Sequence, residues 1–314
     1  MNKIGKNVPV VVFAYNRPRH LEATLGALRR AHGASETDVL IFCDGPRSRS
    51  EQMSVNEVRD VAKNAQGFQS VKVLTSDENR GLGDSVIRGV SHALSLYESV
   101  IVIEDDVEVS PGFLNYMCGA LNEYVSASKV FSISGYSPPV EGKERFNDGF
   151  FIPRICSWGW ATWRDRWQSV DWNLGEYAAF IKDRSRRVEF CRAGRDMLDM
   201  LINQAEGESE SWAIRFDFGR FISGNRLTLY PSSSLVKNSG MDGSGEHFEN
   251  SQRYQSPMSQ RTEFSFPLLV DEANELTVAF SEFYPRRLRS RLAILARRMR
   301  VHGPARKAFR FVFR

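Results

Sequence analysis

The sequence has four cysteines, Cys43, Cys118, Cys156 and Cys191, and no CxxC pair among them. That scatter argues against a zinc site or a disulfide framework and fits a reducing cytoplasm. No apolar run approaches the roughly 20 residues that a spanning helix needs. The longest near the start, Val8–Tyr15, is cut short by Asn16-Arg17-Pro18-Arg19 with no small-residue cleavage site behind it. It reads as a buried strand rather than a signal peptide. There is no internal repeat. Acidic residues are missing from one stretch altogether: Tyr284 to Arg314 holds 11 Arg or Lys and no Asp or Glu. Of 42 basic and 38 acidic residues, the first 283 therefore keep 31 basic and all 38 acidic, a net of −7. An acidic body excludes a whole-domain nucleic-acid footprint, while the basic tail calls for a local anionic partner.

What is present has an α/β rhythm. Hydrophobic residues make up 42% and charged residues 25% of 314, which suits one large α/β domain or two small ones. Val8–Ala14 (VPVVVFA) is a β-branched run of the kind covered on both faces in a parallel sheet. Pro18 suits a first helical turn, and Leu21, Leu25 and Leu28 then repeat at helical spacing. Val39–Cys43 reads as a second strand ending at Asp44-Gly45, Glu51–Ala65 as a helix and Val71–Leu74 as a third strand. Asn79-Arg80-Gly81-Leu82-Gly83 is a turn, Asp84–Leu96 a helix, and Ser99–Ile103 a fourth strand that runs straight into Glu104-Asp105-Asp106. Such alternation, over about 110 residues, predicts repeated βαβ units and a mostly parallel sheet. Further on, the patterns predict a helix from Pro111 to Ala127, a strand over Val130–Ser134, and helices over Leu174–Leu201 and Ser211–Ile222. Short strands follow at Leu227–Pro231 and Leu235-Val236, then a long loop from Asn238 to Tyr254.

Ligands of such sheets bind beyond the carboxyl ends of the strands. Three of those ends are polar: Asn16-Arg17, Asp44, and Glu104-Asp105-Asp106. Adjacent carboxylates at the end of an apolar strand repel one another and cost free energy to desolvate. A divalent cation relieves that repulsion, and hard oxygen ligands favour Mg²⁺ or Mn²⁺. Such an ion bridges protein carboxylate and diphosphate and offsets charge on a phosphate leaving group. The competing reading of the triplet is a solvated acidic loop, with Glu108 capping the helix after Ser110-Pro111.

Val8–Arg19, Cys43-Asp44-Gly45, Asn79-Arg80-Gly81 and VIEDDVEVSPGF together resemble inverting glycosyltransferases of the GT-A fold. The likeness is to the N-acetylglucosaminyltransferase I family and its bacterial relatives in polysaccharide synthesis. SWGWATW, LYPSSSLVKNSG and MDGSGEH are similar to the bacterial members, so the resemblance spans about residues 8 to 250. It implies a Rossmann-like, mostly parallel sheet flanked by helices. A catalytic domain over 1–283 would have a nucleotide-sugar half (8–130) and an acceptor half (131–255), and 284–314 would be an added basic helical tail. It further implies that Arg17 contacts the donor nucleotide, that Asp44 accepts from the uracil ring, and that Arg80 and Gly81 lie in the donor-binding turn. Glu104-Asp105-Asp106 corresponds to the Asp-x-Asp-like motif, with Asp105 facing the ribose or sugar and Asp106 on the metal. Trp158, Gly159 and Trp160 would line the sugar and acceptor pocket, and His247 would approach the metal or diphosphate. The alternative for the tryptophans is core packing.

An inverting transferase needs a general base for the acceptor hydroxyl. Bacterial relatives carry an aspartate directly after the tryptophan of a segment like Ser211–Phe216 (SWAIRF); here that position is Ala213. Asp217, one helical turn along, is the candidate base, with Glu210 as the alternative and a surface ion pair to Arg220 or Arg215 as the competing role for Asp217. In Arg286–Val301, Leu288, Leu292, Leu295 and Met299 recur at helical spacing among arginines, the pattern of a basic amphipathic helix on an anionic membrane surface. The other reading is a helix packed on the domain's own acidic body. The expectation is a cytoplasmic enzyme peripheral to the inner membrane. It would use Mn²⁺ or Mg²⁺ to move an N-acetylhexosamine or hexose from a UDP-sugar to a glycan or lipid-linked glycan in bacterial surface polysaccharide synthesis. The rivals are a nucleotide-sugar-binding protein with weak or no transfer, and a nucleotidyltransferase. Against the last stands FAYNRPRH after the first strand, where a glycine-rich, lysine-bearing loop would be needed.

Overall fold

The computed structural model describes residues 8–240, 252–286 and 288–298. The first half is the expected alternation: β1 (Val10–Ala14), α1 (Pro18–Arg29), β2 (Asp38–Cys43), α2 (Gln52–Lys63), β3 (Ser70–Thr75), α3 (Gly81–Leu96) and β4 (Ser99–Glu104). Every residue of β1 is buried, as a strand covered by helices on both faces requires. After β4 come β5 (Val107–Val109), α4 (Phe113–Glu123), β6 (Val130–Ser134), β7 (Phe150–Ile152), β8 (Trp160–Trp163) and α5 (Arg164–Gln168). The remainder is α6 (Tyr177–Phe180), α7 (Arg184–Phe190), α8 (Met197–Ala205), α9 (Trp212–Ile222), β9 (Leu227–Tyr230), β10 (Val236–Asn238), α10 (Asn274–Phe283) and α11 (Leu288–Arg298).

Eight strands form one mixed sheet in the order β3-β2-β1-β4-β8-β6-β9-β7. The β3-β2-β1-β4 half is parallel, β8 enters antiparallel between β4 and β6, and β7 pairs antiparallel at the far edge. This is the Rossmann-like GT-A arrangement. From β1 the chain winds outward to β2 and β3, then returns through α3 to β4 on the other side of β1. A crevice opens at that reversal, outside the carboxyl ends of β1, β2 and β4. Beside it, β5 and β10 form a separate antiparallel pair, matching Val109 with Val236 and Val107 with Asn238.

Three sequence expectations change. SWGWATW is not a pocket loop throughout: Trp160–Trp163 is an interior strand, all four residues buried. The single helix expected over Leu174–Leu201 is three short ones. Leu174 takes a left-handed φ of 58°, Asp183 caps a fresh helix by accepting from the Arg186 amide, and the Arg154 guanidinium packs so close to Gly194 that no Cβ fits there. The left-handed Leu174 and the Asp183 cap each set a helix boundary that the apolar spacing does not reveal. The tail helix packs, over its described residues, on the body of the protein: Ile294 is buried at 5% exposure, and Arg297 binds Glu206 and Asn203 of the α8 end at 2.9 and 2.6 Å. Among the described residues no helix is long and apolar enough to cross a membrane.

Candidate active site

Pro18 occupies the first turn of α1 and ends β1's extension, so Arg17 projects from a fixed strand-to-helix junction. Its guanidinium bridges the last two members of the acidic triplet, Asp105 and Asp106 (2.8 Å to the latter). Asp105 is only 3% exposed; it also takes a 3.4 Å contact from the Tyr15 amide, and its backbone carbonyl accepts from Thr24. Burial pushes its carboxyl up to about 6, with Arg17 pulling the other way and the Asp106 charge adding to the rise. Glu104 faces Phe13 across the β1–β4 pair. Burial first, then the charges of Asp106 and Asp105, push its carboxyl up to about 8. Burial works against the Arg17 charge, yet the two aspartates hold its pKa above the ordinary arginine range. The triplet is thus not a solvated loop: three carboxyl groups share a mostly buried strand end with one guanidinium between them.

Asp44 directly follows β2, at 9% exposure. Its carboxylate accepts from the amides of Gly45 (2.9 Å), Arg80 (3.0 and 3.1 Å) and Gly81 (3.0 Å). It therefore caps α3 and welds the 79–81 turn to β2, favoured by the positive end of that helix. Gly81 has a φ of +74°, a left-handed conformation that glycine adopts without strain. The side chain of Asn79 closes the same turn by donating to the Gly45 carbonyl at 2.8 Å.

These strand ends surround a cavity of about 500 Å³. Arg17, Asp44, Arg80, Gly81, Glu104, Asp105 and Asp106 all line it, so every residue assigned to the nucleotide end of the site falls on one surface. The sequence reading missed Asn238 and Gly240, which close the same wall. The Ser239 amide donates to the Asp106 carbonyl at 2.8 Å, and Asn238 approaches the Asp106 carboxylate at 3.5 Å. A Cβ added to Gly240 would fall within 2.9 Å of Asp106 Cγ and 3.0 Å of an Arg17 nitrogen. The signal was the glycine ending LYPSSSLVKNSG, the position where β10 reaches the motif. His247 lies outside the described residues.

A second cavity, about 380 Å³, is walled by Trp158, Tyr136, Tyr254, Arg154 and Ala213, with Asp217 at its floor. Trp158 and Tyr136 stack edge to face at 4.6 Å between ring centres. Of the three residues expected in the acceptor pocket, Trp158, Gly159 and Trp160, only Trp158 lines it. Trp160 is 1% exposed and stacks on Trp212 and Trp167 at 4.8 and 5.8 Å, so it is core. Gly159, at φ +59°, is needed because its missing Cβ leaves room for Val236 and Phe113. Trp163 is also core, donating to the Leu121 carbonyl at 3.1 Å.

Asp217 does not stand where a free base would. It is 3% exposed and paired with the fully buried Arg220 at 2.5 Å, a buried ion pair where a surface one was the alternative. Burial raises its pKa above the ordinary carboxylate value against the pull of Arg220. Arg220 in turn binds the carbonyl of Arg226 and the side chain of Asn225, tying α9 to the turn before β9. Glu210 is exposed, its carboxylate 3.7 Å from a Cβ placed on Gly81, which lines the first cavity.

Residues 10–186 match the model of the family described as glycosyl transferase family 2. The chain belongs to that family. A comparison with curated proteins gives no match. Solved structures to which the chain is similar include the mannosyltransferase of Pyrobaculum calidifontis in complex with GDP-Man and Mn²⁺, at 14% identity over 50% of this chain and 44% of that one, TM-score 0.35. Another is glucosyl-3-phosphoglycerate synthase of Mycobacterium tuberculosis with Mn²⁺, UDP and phosphoglyceric acid, at 14% identity over 52% and 57%, TM-score 0.34. A third is the galactosyltransferase LgtC with donor and acceptor sugar analogs, at 12% identity over 68% and 70%, TM-score 0.35. The chain thus covers less than two thirds of the first two proteins.

Proposed function

We propose that this glycosyltransferase transfers an N-acetylhexosamine or hexose, with inversion, from a UDP-sugar in the first cavity to a glycan or lipid-linked glycan in the second. The observation that carries this is the convergence of Arg17, the Asp44-capped turn at Arg80-Gly81, and three carboxyl groups on one cavity at the sheet's reversal point. In that reading Arg17 and the exposed Arg80 side chain beside the turn hold the nucleotide diphosphate, since guanidinium groups suit phosphate oxygens. The kinship to the N-acetylglucosaminyltransferase I group and the bacterial polysaccharide role belong to the same proposal, as does a peripheral inner-membrane location.

The donor set fits a divalent cation. The described residues hold no three His, Cys, Asp or Glu side chains placed to grip one ion by themselves, but the triplet offers hard oxygens, and burial together with the neighbouring carboxylate charges already raises Glu104 and Asp105. Asp106 would hold Mn²⁺ or Mg²⁺ as the protein ligand, the diphosphate supplying the rest. Such an ion supplies charge neutralisation at the leaving group. Trp158 and Tyr136 would supply aromatic wall to a sugar in the second cavity. With Asp217 locked to Arg220, the accessible Glu210 takes over as the candidate base.

A thermal-shift screen of UDP-, GDP- and dTDP-sugars with and without Mn²⁺, followed by transfer assays, tests the reading. A UDP-sugar should stabilise the protein through mass action only when metal is present. Stabilisation without any turnover would instead favour a nucleotide-sugar-binding protein, the role that Ala213 supports because the position where the bacterial relatives carry their aspartate has no carboxylate here. Stabilisation by none of the donors would sink both.

A further inference from the structure

The C-terminal helix has two opposed faces. At 100° per residue, Ser290, Ile294 and Arg297 fall on one side of α11, and Leu288, Arg291, Leu292 and Leu295 on the other. The first side is used internally. Ser290 lines the second cavity together with Pro285 and Tyr284 just upstream, Ile294 is buried, and Arg297 holds Asn203 and Glu206. Upstream, Arg286 grips the nearly buried Asp199 carboxylate through paired hydrogen bonds of 2.5 to 2.9 Å. Most of the opposite side is left to solvent: Leu288 is 66% and Leu295 51% exposed, with Arg291 exposed and Leu292 half-buried between them. Two large aliphatic side chains and a guanidinium thus share one outward side of the helix. The segment Tyr284–Arg314 carries 11 basic residues and no acid of its own; Arg286 and Arg297 are matched by acids of the body, while Arg291 lies on the outward face, so the partner that suits this face is both apolar and anionic.

We infer that the Leu288-Arg291-Leu295 face of α11 docks on an anionic lipid surface while the Ser290-Ile294-Arg297 face stays in place as a wall of the second cavity. The two roles do not compete, because they use opposite sides of one helix. The second cavity then lies within about one helix diameter, roughly 10 Å, of the bilayer. Resting on the reading of that cavity as the acceptor site, the acceptor class is a lipid-linked glycan delivered from the membrane.

The test is co-sedimentation of the full chain with vesicles of phosphatidylcholine alone and with about one third phosphatidylglycerol. Binding is expected on the anionic vesicles and should fall steeply with salt. Leu288→Asn/Leu295→Asn should weaken it about tenfold or more, and Arg291→Glu should weaken it as well. Both variants should keep the parent melting temperature, since neither replaces a packed side chain. Retained binding by the leucine variant, equal binding to neutral vesicles, or no binding by the parent each overturns the inference. So does a dimer, measured by light scattering, that the leucine variant dissolves, because the face would then belong to a second copy. Vesicle binding needs neither donor nor metal, so this result stands apart from the fate of the transfer reaction.

Discussion

Replacing Asp44 by alanine should unhinge α3 from β2, and the size of the effect can be worked from its bonds. One carboxylate serves three backbone N–H donors, of Gly45, Arg80 and Gly81, all within 3.1 Å. A net gain of about 1 kcal/mol per hydrogen bond, somewhat more when the acceptor is charged, gives about 3 kcal/mol. The negative charge at a helix start adds about 0.5 kcal/mol. Water entering from the adjacent cavity recovers part of this by solvating the released amides. The expectation is a loss of about 2–3 kcal/mol in urea unfolding at unchanged slope. Asp44→Asn, which keeps an acceptor oxygen but loses the charge, should lose about half as much. Because Gly81 holds its left-handed φ in this same turn, nucleotide affinity should fall in both variants and fall further in the alanine one. An alanine variant within about 0.5 kcal/mol of the parent would show that the turn is held by other contacts, and the cap argument would fail.

Other perturbations separate structural from chemical roles. Gly240→Ala forces Asp106 or the β10 end to move by several tenths of an ångström or more; a misplacement approaching 1 Å should lower kcat/KM by about 100-fold, and parent-like kinetics would refute that closeness. Asp106→Asn should abolish the metal dependence of donor-induced stabilisation while leaving the metal-free melting temperature near the parent's; an unchanged Mn²⁺ response in calorimetry would remove Asp106 as the ion's ligand. Asp217→Asn leaves buried Arg220 without its counter-charge and should cost about 3–5 kcal/mol in chemical denaturation; a stable but inactive variant would return Asp217 to the role of base. Ala213→Asp puts a carboxylate into the second cavity wall and should raise transfer about tenfold or more if proton removal limits the reaction; no change in rate would place the base at Glu210 or elsewhere.

The parallel half of the fold was legible because its signals are local. Unbroken β-branched runs such as Val8–Ala14 form strands wherever helices cover them, and a polar residue just past each strand sits at the sheet's carboxyl edge by geometry alone. Arg17, Asp44 and Glu104–Asp106 could therefore be placed together without coordinates. The tertiary structure decided what depends on partners distant in sequence. Trp158 and Trp160 are separated by a single glycine, yet one faces a cavity and the other the core, because β8 inserts between β4 and β6. Asp217 looked available as a base until Arg220 was found buried beside it, and Gly240 gained its meaning only when β10 paired with β5 and met Asp106. The periodicity of residues 288–299 fixed an amphipathic helix, but a hydrophobic stripe does not say whether lipid or protein covers it. That choice was made by α8, which engages Ile294 and Arg297 and leaves Leu288 and Leu295 facing outward.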